Sequence, residues 1–222
     1  MNSTRKIDTI VEREISEFLD ENLYTDSTIF KEFIRTDNLD DQLLGSDVII
    51  STWDGNLNYA IVDEKVAARY ANKKLNTFAL ELSFINRLGN ENVGWFIDET
   101  KKTEYYLCGW ITNSTIQYNK DLGRYETETI TKDNICSMDW CLVSREKIFE
   151  HLAERGWSID RIKRQCEKIR KNGMVRTNQY IQGVSFRYSD KLAEKPINLL
   201  MKKNTYFEIS DYCGTITANE DF

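Results

Sequence analysis

The sequence predicts an α+β (α/β) fold, with a central mixed β-sheet that contains a hairpin and is flanked by helices. Three observations carry this expectation. Residues 5–23 place apolar side chains at helical spacing. Residues 46–66 hold two β-type runs around the turn signal Trp53-Asp54-Gly55-Asn56. Residues 144–171 hold two stretches that each follow a serine cap and stop at a glycine.

In the first helix, Ile7, Ile10, Val11, Ile15, Phe18 and Leu19 form one stripe, and Glu12, Glu14, Glu17 and Glu21 lie largely off it. A short second helix is expected over 27–34, and a polar loop over 37–41. Strands 46–52 and 58–66 make the hairpin, and a brief helical turn follows within 66–74. Residues 77–84 alternate: Phe78, Leu80, Leu82 and Phe84 share one face, Thr77, Ala79, Glu81 and Ser83 the other. Further strands are expected at 93–97, 105–112 and 139–143, with a loop or edge hairpin across 113–134. Ser144 caps a helix over 145–155 that Gly156 ends. Ser158 caps another over 159–171, stopped by Asn172-Gly173. Strands at 183–188 and 205–209 complete the chain. The expected division is a core over 1–155 and a basic extension over 156–222 packed on the same domain.

Composition narrows the chemistry. The 222 residues include five Trp, eleven Tyr and ten Phe, enough to bury a substantial core. His151 is the single histidine, so no site can gather several histidines on a metal within one chain. A Ser/His/Asp triad or a cysteine enzyme would have to use His151, and no cysteine neighbours it in sequence. The five cysteines (Cys108, Cys136, Cys141, Cys166 and Cys213) are odd in number and form no CxxC pair. Reduced thiols and a cytoplasmic setting are expected. The N-terminal stretch lacks a signal-peptide core, and no apolar run approaches the ~20 residues of a membrane span.

The net charge of −6 is an average over unlike regions. Residues 144–203 hold 15 Lys+Arg against 7 Asp+Glu, a balance of +8; the rest holds 15 against 29, a balance of −14. On the helix 159–171, Arg161, Arg164, Lys168 and Lys171 form a basic stripe parallel to the apolar stripe of Ile159, Ile162, Cys166 and Ile169. With Arg176, these cations are the candidate contacts to a nucleic-acid backbone. A solvated helix face is the plainer alternative. Tyr180, Phe186 and Tyr188 could stack on bases or belong to the core.

The hairpin is the informative element. If its turn centres on Gly55, Asp47 stands opposite Asp63, with Lys65 two residues on and on the same face. A two-residue Asp54-Gly55 turn would instead set Asp47 against Val62 and separate the acids. Loops of three or five residues preserve the pairing, with Asn56 as the expected bulge. Two adjacent carboxylates repel unless a cation lies between them, and Mg²⁺ suits such oxygen ligands. Lys65 could orient or help deprotonate an attacking water. Glu81 is the expected third acid, on a strand taken to share the sheet. The first-helix acids Glu12, Glu14 and Glu17 offer a fourth.

Asp47 followed by Asp63-Glu64-Lys65, after an acidic helix, resembles the PD-(D/E)XK or restriction-endonuclease-like nuclease superfamily. The resemblance covers roughly residues 5–84, and less surely the later strand and helix of DWCLVSREKIFEHL. It implies a restriction-endonuclease-like core, Mg²⁺ (or Mn²⁺) held by Asp47 and Asp63, and catalytic support from Lys65. Glu81 joins them as a candidate metal ligand only as the expected third acid, and Glu81-Leu82-Ser83 is a competing acidic motif that lacks the lysine. It implies hydrolysis of phosphodiester bonds, of DNA or else RNA, pairing into homodimers, and a setting in phage, mobile elements or defence. The sequence departs from the pattern in Ser46, where the family name has proline, and in the charged Glu64 at a usually apolar position. Inactive binding modules on the same fold are the competing class.

Overall fold

The computed structural model describes residues 2–25, 28–36, 38–173 and 181–218, so Arg176 and Tyr180 lie outside the described residues. The chain forms two compact units, neither continuous in sequence. One comprises Met1–Leu75, Thr103–Val143 and Asp211–Phe222; the other comprises Asn76–Lys102 and Ser144–Ser210. The boundary expected after residue 155 therefore falls inside the second unit, in the link between its first two helices.

The first unit is built on a six-stranded sheet. In chain order its strands are β1 (Phe30–Arg35), β2 (Val48–Thr52), β3 (Ala60–Val66), β6 (Tyr105–Ser114), β9 (Ile135–Ser144) and β12 (Tyr212–Thr217). They lie side by side in that order. β1, β2 and β3 are antiparallel neighbours, whereas β3 and β6 run parallel. A parallel neighbour cannot be reached by a tight turn. Here the excursion between them carries a 3₁₀ turn (Ala68–Tyr70) and the first segment of the other unit.

Helix α1 (Asn2–Leu19) runs into a π-helical turn, Asp20–Tyr24. Val11, Ile15, Phe18, Leu19 and Leu23 are buried with Val48, Ile50, Val62, Leu107, Trp140 and Leu142. Each such side chain contributes about 1.5–3 kcal/mol. Ile7 and Ile10, placed on the stripe by spacing, are exposed instead. Two expectations fail nearby. The helix expected over 27–34 gives way from Phe30 on to strand β1, which pairs along β2, while residue 27 lies outside the described residues. The expected loop contains a short helix, α2 (Leu39–Leu43), capped by the Asn38 side chain accepting from the Asp40 N–H at 2.9 Å. The polar stretch 113–134 forms the small hairpin β7 (Tyr118–Asn119) and β8 (Arg124–Tyr125).

The second unit has a four-stranded sheet in the order β10-β11-β4-β5. These are β4 (Thr77–Ile85), β5 (Glu91–Val93), β10 (Val184–Tyr188) and β11 (Ile197–Lys202). The strand expected at 93–97 shortens to β5 because Gly94 and Phe96 turn back to donate to the carbonyls of Leu82 and Glu81. Helices α3 (Arg145–Glu154) and α4 (Ile159–Asn172) carry the expected caps: Ser144 accepts from the Glu146 and Lys147 N–H groups, and Ser158 from that of Arg161. Gly156 and Gly173 end them at φ 77° and 63°. The strand expected at 205–209 is helix α5 (Lys203–Ile209), whose buried Tyr206 packs edge-on against Phe78 at 5.7 Å. The architecture is thus α+β, with a mixed sheet and flanking helices. No helix is long and apolar enough to cross a membrane among the described residues.

Candidate functional site

The β2–β3 register decides the site. Val48 pairs with Val62, Ile49 with Ile61 and Ile50 with Ala60; beyond this ladder the Asp47 N–H donates to the Val62 carbonyl at 2.9 Å, one residue out of step, so the ladder does not extend to an Asp47–Asp63 pair. At the turn, the Thr52 N–H donates to the Leu57 carbonyl at 3.0 Å, one residue out of step with the Ile50–Ala60 pair. Tyr59 absorbs the extra residue with φ 56°, and its N–H donates to Ser51 Oγ at 3.1 Å. The bulge is therefore at Tyr59 rather than Asn56. Asp54 ties the tip by accepting from Thr52 Oγ1 at 2.6 Å and from Tyr212 OH at 2.6 Å.

Asp47, Asp63 and Lys65 come together at the end of the hairpin through their side chains, not through a ladder pair. The Asp63 side chain is 5 % exposed and forms an ion pair with Lys65. The Asp47 carboxyl is hydrogen-bonded to Asp63, and its Oδ2 accepts from the Glu64 N–H at 2.8 Å. Burial pushes the Asp47 pKa up to about 7. The charge of Asp63 and the bond to it add to this; Lys65 and the Glu64 N–H oppose it. Burial works against the Lys65 cation, but Asp63 and Asp47 outweigh it and hold its pKa above the ordinary lysine value. The ammonium is therefore charged at neutral pH.

The structure separates the first-helix acids. Glu14 accepts from the Lys132 N–H at 3.1 Å, Glu17 pairs with Arg13 at 3.6 Å, and Glu21 pairs with Lys132. The charge of Lys65 reaches Glu12. Burial raises its pKa, Lys65 opposes this, and Asp8 adds to it. Glu12 is thus a helix acid electrostatically linked to the hairpin site.

Glu81 is a correction. Its strand β4 belongs to the four-stranded sheet of the second unit, between β11 and β5, and pairs Glu81 with Asn198. The neighbour that β3 takes after β2 is β6, so Glu81 does not share the sheet of Asp47 and Asp63. Among the described residues, no three Asp, Glu, Cys or His side chains gather into a metal-binding group.

Glu64 was legible only as an anomaly, a charge at an expected apolar position. Its side chain is 5 % exposed and accepts from Ser16 Oγ at 3.1 Å, Tyr24 OH at 2.9 Å and Arg35 Nη1 at 2.6 Å. Its partners lie 29–48 residues away in sequence, so no local pattern announces them. On the opposite side of the strand, Cys108 stands beside Lys65 in the β3–β6 register. Burial, then contact with Cys141, holds its thiol well above the ordinary range, which leaves it unreactive. His151 is buried on α3, and burial followed by Arg155 lowers its pKa.

The basic stripe divides. Arg161 stacks on Trp157 at 4.2 Å and donates to the Gly156 carbonyl at 2.8 Å and Gln182 Oε1 at 3.0 Å, so it braces the helix link. Arg164, Lys168 and Lys171 are exposed on α4. Phe186 is buried against Trp157, with ring centroids 5.1 Å apart, and Tyr188 lies under Arg170. These two aromatics serve packing.

Comparison with known proteins adds no relative: no family model, no curated protein and no solved structure matches the chain.

Proposed function

We propose that the protein is a Mg²⁺- or Mn²⁺-dependent nuclease with a restriction-endonuclease-like core, acting on DNA. The observation that supports this most is the grouping of the Asp47, Asp63 and Lys65 side chains at the end of the β2–β3 hairpin. A divalent ion fits the donor set. Two adjacent carboxyl groups remain jointly ionised at neutral pH only with positive charge beside them, and Asp47 holds its proton until about pH 7 without an added cation. Asp47 and Asp63 would hold the ion, and Glu12 is an acid linked electrostatically to the site. When bound, such an ion supplies Lewis-acid stabilisation of the charge developing on the phosphate.

The chain's own groups then have distinct tasks. Lys65 keeps its proton at neutral pH, so it donates hydrogen bonds and positive charge toward the phosphate; it does not act as a base. Asp63 holds that ammonium in place. Asp47 would have to give up its proton to hold the cation, so occupancy would rise with pH. Arg164, Lys168 and Lys171 supply backbone contacts that are independent of sequence.

The test is direct. Purified protein with Mg²⁺ or Mn²⁺ is incubated with supercoiled, linear and single-stranded DNA and with RNA. Cleavage is expected, and Asp63→Ala and Lys65→Ala should abolish it while retaining DNA binding. If no nucleic acid of any form is cut, the enzyme reading fails. A non-catalytic binding module is the second reading. It is favoured by the Asp63–Lys65 pair, which satisfies both charges within the chain, and it requires DNA binding that divalent ions leave unchanged.

A further inference from the structure

Glu64 occupies an improbable position for a charge. The Glu64 side chain is 5 % exposed and that of its partner Arg35 22 %. An ion pair drawn this far from water is often no better for stability than apolar residues of the same volume, because desolvation offsets the attraction. Yet the pair is surrounded by further bonds. Arg35 is held by Asp20 through Nε at 2.8 Å and by the Ser16 carbonyl through Nη2 at 3.0 Å, while Ser16 and Tyr24 also donate to Glu64. These partners come from α1, the π-helical turn and β1, so one carboxylate joins three elements to β3.

The main chain of Glu64 matters equally. The β2–β3 ladder ends at Val48, and the Asp47 N–H donates to the Val62 carbonyl at 2.9 Å. The Glu64 N–H lies beyond that last pair, and its acceptor is the Asp47 side chain rather than a carbonyl. Glu64 also separates Asp63 from Lys65 in sequence. A one-residue slip of β3 would turn both away from Asp47.

We propose that Glu64 is a positioning residue: its clamped side chain fixes the register and tilt of β3, so that its N–H orients the Asp47 carboxylate and the flanking Asp63 and Lys65 face that carboxylate. This rests on the nuclease reading for its consequence but not for its geometry. Outer residues that orient ligands change metal affinity or activity by about 10- to 100-fold when replaced. An effect of at least tenfold is expected here.

Two variants test it. Glu64→Gln keeps the shape and removes the charge. The pair Glu64→Leu with Arg35→Met removes both charges together, which avoids stranding either one opposite the other. Hydrogen exchange of the residue-64 amide is measured by NMR, and Mn²⁺ affinity by titration of the free ion, neither of which needs cleavage. The proposal requires amide exchange at least tenfold faster and Mn²⁺ binding at least tenfold weaker in the folded paired variant. Where cleavage occurs, kcat should fall with KM for duplex DNA unchanged, a split that general loosening would not produce. Exchange and Mn²⁺ affinity within about twofold of wild type in that folded variant would overturn it. If wild-type protein binds no Mn²⁺, the nuclease reading fails and amide exchange alone decides the clamp.

Discussion

The carboxyl of Asp47 is hydrogen-bonded to that of Asp63, across the end of a hairpin whose turn lies around Gly55. This contact sets a pH dependence. In the unfolded chain Asp47 ionises near the ordinary aspartate value, whereas in the fold it keeps its proton to about pH 7. The folded state therefore binds more protons between roughly pH 4 and 7, and stability falls as pH rises through that window. Thermal melts without divalent ions should show a lower Tm at pH 8 than at pH 5, and Asp47→Asn should flatten the difference. Mg²⁺ or Mn²⁺ should raise Tm more at pH 8, where the ion does not compete with a proton. Equal Tm gains at both pH values would contradict this. Lys65, raised above its ordinary value, loses its contribution only at far higher pH, outside this window.

Replacing Lys65 by methionine removes the cation but leaves Asp63 with its side chain 5 % exposed. Breaking a buried pair on one side costs about 3–5 kcal/mol. The lysine side chain is 29 % exposed, so about 3 kcal/mol is expected in denaturant melts. The double variant Asp63→Asn/Lys65→Met should be less destabilised than the sum of its singles, with a coupling of about 0.5–3 kcal/mol. Strict additivity would mean that the pair contributes nothing to the fold.

How far this site was readable before the structure depended on whether its determinants were local. The turn signal around Gly55 was enough to mark the hairpin that carries Asp47 and Asp63, though not the one-residue offset of Asp47 against Val62, and Ser144 and Ser158 marked two helix starts through short-range capping bonds. Phe30 and Ile34 stand four residues apart, a helical spacing, yet this segment is strand β1 because β2 offers a pairing edge. Residues 205–209 are rich in β-type side chains, but Tyr206 packs on Phe78 from a helix. Alternation in β4 correctly buried Phe78, Leu80 and Leu82. It carried no information on which sheet the strand would join, and that is why Glu81 was misplaced. The Arg35–Glu64 pair depends on contacts between distant segments, which no sequence period encodes.

Gly94 lies against the main chain of the strand that carries Glu81. A methyl group there would overlap the Glu81 carbonyl and come within 2.7 Å of the Leu82 carbonyl carbon. Backbone atoms cannot rotate aside as a side chain does, so β4 and the turn after β5 must part. Gly94→Ala should destabilise by about 1–3 kcal/mol, as overpacked cores do. Denaturant unfolding measures it, and a change below about 0.5 kcal/mol would show that the two segments yield easily.

The cations of α4 should separate into two kinds under mutation. Arg161 has defined partners in Trp157, the Gly156 carbonyl and Gln182. Arg161→Ala should therefore lower Tm and leave the salt dependence of DNA binding nearly unchanged. Arg164, Lys168 and Lys171 are exposed, and their replacement by glutamine should leave Tm within a degree or two. Each phosphate contact contributes about 0.9 to the slope of log affinity against log salt concentration. The triple glutamine variant should thus reduce that slope by roughly 2–3. Fluorescence anisotropy with a labelled duplex across a salt series distinguishes the cases. A slope unchanged in the triple variant would move the DNA-binding surface away from α4, because counterion release requires that the cations it removes contact the phosphates.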